Sequence, residues 1–179
     1  KVLEEVLSRT TNEQRDARLQ EGLSSPLPEE RLAVVQLIGR ALLEGKLPSD
    51  ATLATLRNLL DDSEPNIRRE AVLVLRDLRN PSDSKLLLDH ITSERDHSVR
   101  PVLYNALGRV GNASAIPVVL RALNDTDQEV MAEAVTALGF LIQQYRQPPN
   151  PVVQNAVEVF AKHFTPLPED PSLRGLVVD

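Results

Sequence analysis

The chain has 179 residues, with 20 Lys and Arg against 26 Asp and Glu for a formal net charge of −6, enough for one sizeable domain or for four to five repeats of about 30 to 40 residues. Net negative charge, no Trp and three Phe argue against a general nucleic-acid binder, which neutralises phosphates with Lys and Arg and stacks bases on aromatic rings. The absence of Cys removes disulfides, thiolate zinc sites and cysteine nucleophiles, and no apolar stretch approaches the roughly 18 residues of a membrane span.

The chain opens at Lys1 inside an apolar-periodic stretch of Val2, Leu3, Val6 and Leu7, and is read as a fragment of a longer or processed protein. Lys1 to Arg9 read as the remains of a first helix, and Thr11 to Leu23 as the second helix of a cut repeat. A helical run through Ile38-Gly39 follows, and Leu43 to Ser49 read as a loop insertion. Next, Glu64-Pro65 opens a helix after Ser63, whose hydroxyl is expected to cap the free amides. Ala71, Val74, Leu75 and Leu78 line one side of it, and Asn80-Pro81-Ser82-Asp83 stop it. Leu86 to Ile91 begin a shorter helix. The plan recurs with Val102, Leu103, Ala106, Leu107 and Val110, then Gly111-Asn112, then Ile116, Val119, Leu120 and Leu123. Thr126-Asp127-Gln128-Glu129 form a capping-box pattern ahead of Val130, Ala134, Ala137, Leu138 and Leu141. A rigid connection, Gln147 to Pro151, leads to a closing helix with Val153, Ala156, Val157, Phe160 and Phe164. From Thr165 to Asp179 the helical stripe fails and three Pro intervene. This tail is expected to be extended, with Leu173, Leu176 and Val177 docking on the last repeat.

These segments repeat one phrase: Asp62 to Arg76, Glu94 to Gly108 and Asp125 to Gly139. Registered on Leu75, Leu107 and Leu138, the steps are 32 and 31 residues, and Asp62, Glu94 and Asp125 keep the same steps. Ile38 precedes Leu75 by 37 residues, the difference falling in the insertion. Self-similarity at this period means stacked helix pairs, each unable to bury its apolar face alone.

The signature "Asp … Val-Arg … Ala … Leu-Gly" is carried by Asp62, Ile67, Arg68, Ala71 and Leu75, by Glu94, Val99, Arg100, Leu107 and Gly108, and by Asp125, Val130, Ala134, Leu138 and Gly139. It resembles HEAT repeats, especially the short class of phycobilisome lyase subunits. The resemblance implies an all-α, right-handed superhelical solenoid of armadillo type, with the helix pairs in residues 1–164, the first repeat truncated, and a Pro-rich extended tail in 165–179. It also implies a structural ladder of acids and arginines: Asp62, Arg68, Glu94, Arg100 and Asp125. Met131 stands where Arg68 and Arg100 stand, so the ladder is expected to end there. Pro101 lies close enough to a helix start to be tolerated.

Catalytic and metal chemistry find no footing in this pattern. Asp125 to Glu129 lack the Gly at position six and the Glu at position twelve of a calcium loop, and acids at a helix N-terminus explain them. His90, His97 and His163 lack the spacing of a helical zinc motif. No Gly-rich phosphate loop or nucleophile elbow is present. No catalytic residue, metal or cofactor is therefore assigned. The expected function is a non-catalytic scaffold or adaptor module that binds a protein or peptide, not nucleic acid, on the concave face lined by the second helix of each pair. Asn58, His90 and Arg121 hold equivalent positions there, and Thr55, Leu87 and Val118 precede them by three, on the same side of a helix. The alternative carried by the resemblance is a subunit of a bilin lyase-type complex, holding a tetrapyrrole and its target protein.

Overall fold

The structure, a computed structural model, describes residues 11–147 and 150–163; the remains of a first helix, part of the Gln147–Pro151 connection, Phe164 and the tail lie outside the described residues. All regular elements among the described residues are helical: α1 (Asn12–Leu23), α2 (Pro28–Leu43), α3 (Asp50–Asn58), α4 (Pro65–Leu78), α5 (Ser84–Ser93), α6 (Arg100–Val110), α7 (Ile116–Ala122), α8 (Gln128–Tyr145) and α9 (Pro151–His163). Short 3₁₀ turns at Leu59–Asp61, Pro81–Asp83 and Ala113–Ala115 end α3 and introduce α5 and α7.

Local chemistry sets the helix boundaries. Thr11 and Gln14 form a reciprocal capping box at α1, with Thr11 Oγ1 accepting from the Gln14 amide and Gln14 Oε1 from the Thr11 amide. Ser49 Oγ accepts from the Thr52 amide at α3 (3.2 Å), so the insertion ends where the sequence places it. Ahead of it, Gly45 at φ 76° turns the chain out of α2, a conformation that a side chain would disfavour. Two caps differ from expectation. At α4 the N-cap is Glu64 and no side chain, Ser63 included, caps the free amides of the first turn; Asp62 Oδ1 accepts from the Glu64 amide just ahead of them (3.0 Å). At α8 the cap is Asp127, not Thr126: Asp127 holds the extended backbone of an N-cap, and its Oδ1 accepts from the Glu129 and Val130 amides at 2.9 and 3.4 Å. Asn80 and Asn112 occupy equivalent turns, their Oδ1 atoms accepting from the Ser82 and Ser114 amides (3.1 and 2.9 Å).

The chain divides into two compact units, Lys1–Arg79 and Asn80–Asp179, and both follow one packing rule. In the N-terminal unit α1 packs on α2 and α3, α2 on α4, and the turn after α3 on α4. In the C-terminal unit α5 packs on α6, α6 on α8, and α7 on α8 and α9. Within each unit the first helices of its pairs thus stack on one another, α2 on α4 and α6 on α8, and a second helix lies against the first helix of the following pair. The stripes read from the sequence form the cores, Ile38, Ile67, Ala71 and Leu75 in one unit, where Val35 and Leu56 join them, and Leu103, Leu107, Ile116, Val119, Leu138 and Leu141 in the other, all buried. Burying a Leu, Ile or Val contributes about 1.5–3 kcal/mol each. The α6–α8 crossing is close: a Cβ added at Gly108 would stand 2.6 Å from Ala137 Cα. The far end of α8 is tied back by Tyr145, whose hydroxyl donates to the Gly111 carbonyl (3.2 Å).

Candidate functional site: the acid–arginine ladder and the second-helix faces

Each acid that opens a repeat does the same local work. Asp62, Glu94 and Asp125 accept from the amide two residues on, at Glu64 (3.0 Å), Asp96 (2.9 Å) and Asp127 (3.0 Å), which fixes the turn into the next helix. Asp62 and Asp125 also receive an arginine from the preceding repeat. Arg31 of α2 grips Asp62 bidentately, Nε to Oδ2 at 2.7 Å and Nη2 to Oδ1 at 2.9 Å, while its Nη1 donates to the Ser25 carbonyl (2.9 Å). Arg100 of α6 donates to Asp125 Oδ2. The guanidinium fork suits a carboxylate whose other lone pairs are occupied by amides.

The electrostatics follow from this geometry. Burial alone would push the Asp62 carboxyl up, but the Arg31 hydrogen bond, the Glu64 amide and the charges of Arg31 and Arg68 together hold it below its ordinary value. At Asp125 the Asp127 amide leads, burial opposes, and the Arg100 bond and charge complete a net lowering. Arg31 and Arg100 are held more firmly protonated, chiefly by their hydrogen bonds to Asp62 and Asp125. Desolvation raises the neighbouring Tyr104 phenol, buried one turn beyond Arg100.

Arg31 is the ladder residue absent from the sequence reading. It stands seven residues before Ile38, as Arg68, Arg100 and Met131 stand before Leu75, Leu107 and Leu138, so the signal was present but lay behind the insertion. Arg68 uses Nη1 to hold the carbonyls of Asp62 and Ser63 at 2.8 and 3.3 Å. For Arg31 and Arg100 the pairing runs from the arginine to the acid of the following repeat, and Met131 is half-buried on α8, the last first-helix among the described residues.

The six residues placed on the binding face do not share one environment. Asn58 at the end of α3 and Arg121 on α7 are exposed, whereas Thr55, His90 and Val118 are half-buried. Thr55 Oγ1 donates to the Ala51 carbonyl (3.2 Å), and His90 Nδ1 lies 2.9 Å from the Leu86 carbonyl, a bond that requires the proton on Nδ1. Leu87 corrects the sequence reading: it is 0 % exposed and belongs to the core. Its helix, α5, turns the 84–87–91 stripe inward, with Ser84 and Ile91 also buried, so Leu87 cannot line an outward column. No helix among the described residues is long and apolar enough to cross a membrane.

Stacked helix pairs joined by an acid–arginine ladder define an α-helical repeat scaffold, a class whose extended surfaces serve interaction. The sequence pattern of HEAT repeats matches residues 16–106 and 96–161, and the chain belongs to that family. No curated protein matches it in sequence. Among solved structures it is similar to an engineered protein determined by the Northeast Structural Genomics Consortium, at 16 % identity and TM-score 0.61, over 99 % of this chain and 94 % of that one. It is also similar to the complex of CpcE and CpcF of phycocyanin lyase from Nostoc sp. PCC7120, at 20 % identity and TM-score 0.56, over 94 % of this chain and 75 % of that one.

Proposed function

We propose that this chain is a non-catalytic adaptor module whose partner is a protein or peptide held on the second-helix faces, with Asn58 and Thr55 contributing from α3 and His90, Val118 and Arg121 from α5 and α7. The observation that supports this reading is the exposure of Asn58 and Arg121 at one repeat position, while the ladder arginines and the apolar stripes are engaged inside the units. An amide and a guanidinium beside half-buried aliphatic surface suit a protein interface, where Arg anchors and polar rims recur. The net charge of −6 supports a protein partner over nucleic acid.

The test treats each unit by itself. Partners recovered with the wild-type chain are titrated against Asn58→Glu, Arg121→Glu and a first-helix control, Arg76→Glu, after nuclease treatment. Weakening by about tenfold or more in either second-helix variant, with the control unchanged, supports the reading; loss only in the control, or dissolution of the complex by nuclease, overturns it. The tetrapyrrole-holding alternative has its own assay, since a red-shifted absorbance on adding free bilin would favour it. The likeness to the lyase complex, at 20 % identity, extends to the fold alone.

A further inference from the structure

Leu43 and Leu47 are 81 % and 78 % exposed, more than any other large apolar side chain among the described residues. Both lie in the segment Leu43 to Ser49, the insertion that lengthens the first repeat step to 37 residues against 32 and 31. Stacking does not call for them, because the core of the N-terminal unit closes without either, and exposed turns are ordinarily filled by polar residues, Gly and Pro. The backbone that carries them is fixed at both ends. α2 closes in a Schellman turn, with the Lys46 amide donating to the Ala41 carbonyl and the Gly45 amide to the Leu42 carbonyl, both at 2.9 Å. At the other end Ser49 Oγ caps α3 and donates to Thr52 Oγ1 (3.1 Å), and Thr52 is itself buried. Two leucines are thus held out to solvent on an ordered loop, so little further ordering accompanies their burial by a partner.

We propose that this loop is the apolar anchor of the interaction surface, and that its occupant is a cleft lined by apolar side chains on a folded partner protein, which takes Leu43 and Leu47 together. The proposal rests on the protein-partner reading above and adds what that partner must present. Charge argues for such a cleft. The two ionised residues between the leucines neutralise each other, Lys46 Nζ lying 2.6 Å from Glu44 Oε2, so the tip offers no net charge to the phosphates of a nucleic acid or to an anionic lipid surface, both of which are held by an excess of Lys and Arg. Area argues against a second copy. The two side chains expose about 200 Å² between them, against roughly 800 Å² per partner in a stable complex, so a leucine pair meeting its own mate would leave most of an interface unmade. Continuity supplies the remainder: the loop runs directly into α3, which carries Thr55 and Asn58 of the proposed face, and the nine residues of that helix span about 13 Å. A patch of about 800 Å² is about 30 Å across, wide enough to take in the loop and α3 together.

The full chain is tested against one defined probe, the most abundant protein retained by the immobilised wild-type chain after nuclease treatment, then purified. Leu43→Ser combined with Leu47→Ser should weaken its binding by about a hundredfold, since burying each leucine is worth about tenfold or more. Leu43→Met with Leu47→Met should bind within about threefold of the wild type, and both variants should keep the wild-type unfolding midpoint, because the positions are exposed. Unchanged affinity in the serine variant overturns the proposal. So does binding of the wild-type chain, but not of the serine variant, to vesicles of phosphatidylcholine and phosphatidylserine, which would assign the loop to a lipid surface. A dimer in sedimentation that the serine variant abolishes would assign it to a second copy and overturn it as well. Asn58→Glu, measured alongside, separates the anchor from the face: loss in the serine variant alone keeps the anchor and removes the face, loss in Asn58→Glu alone does the reverse, and a wild-type chain that retains no protein removes both.

Discussion

Two glycines at the same repeat position should respond oppositely to one added methyl group. Gly39 and Gly108 both follow the register residue of a first helix, Ile38 and Leu107, and face equivalent residues of the next first helix, Val74 and Ala137. A Cβ at Gly39 would meet Val74 Cγ2 at 3.5 Å, an ordinary contact, whereas at Gly108 it would stand 2.6 Å from Ala137 Cα and 2.9 Å from its Cβ. Carbon atoms prefer about 3.5–4.0 Å, so α6 and α8 would have to part by about 1 Å. Overpacking of this kind costs about 1–3 kcal/mol, and the obstacle is backbone, which cannot rotate aside. The helix-propensity gain of Gly→Ala returns about 1 kcal/mol. The net expectation is a loss of about 1 kcal/mol for Gly108→Ala and a gain of about 0.5–1 kcal/mol for Gly39→Ala. Urea unfolding followed by far-ultraviolet circular dichroism reads both. With a slope of about 1–3 kcal/mol per molar, the Gly108→Ala midpoint should fall by about 0.5 M and the Gly39→Ala midpoint rise slightly. Equal stabilisation of the two variants would refute the close approach of α6 and α8.

Leu107→Ala should cost about 2–5 kcal/mol in the same assay, as a fully buried leucine leaving a cavity; Leu87→Ala should cost a similar amount, and a neutral result there would return Leu87 to the surface. Asp62→Ala should cost about 1–3 kcal/mol by leaving the Arg31 guanidinium and the Glu64 amide without their acceptor. The acid limb of the stability curve follows from the sign of the shifts. Asp62 and Asp125 titrate lower in the folded chain than in the unfolded one, so their contribution is complete above the ordinary carboxylate value and is lost as pH falls through the folded values. Midpoints measured down the acid range should fall less steeply for Asp62→Asn combined with Asp125→Asn than for the wild type, and parallel curves would deny the ladder its electrostatic role.

The architecture was legible in the sequence because its causes are local and repeated. A fixed step between Leu75, Leu107 and Leu138, with turn residues between the apolar runs, forces helices of limited length whose apolar faces recur at one period, and stacking is how such faces are buried. The acids of the ladder were visible for the same reason, since Asp62, Glu94 and Asp125 keep that step. Tertiary structure decided what depends on rotation and distance. Periodicity names the apolar side of α5 but not how far burial extends around it, so Leu87 was read as surface until its packing placed it inside. Thr126 and Asp127 are both competent caps, and it is Asp127 that holds the extended backbone of an N-cap. Arg31 pairs with Asp62 across a loop insertion that breaks the sequence register while leaving the stacking of α2 on α4 intact. The difference between Gly39 and Gly108 is likewise invisible in the repeat alignment: Ala137 admits a closer helix than Val74 does, and only the distance between backbones reveals it.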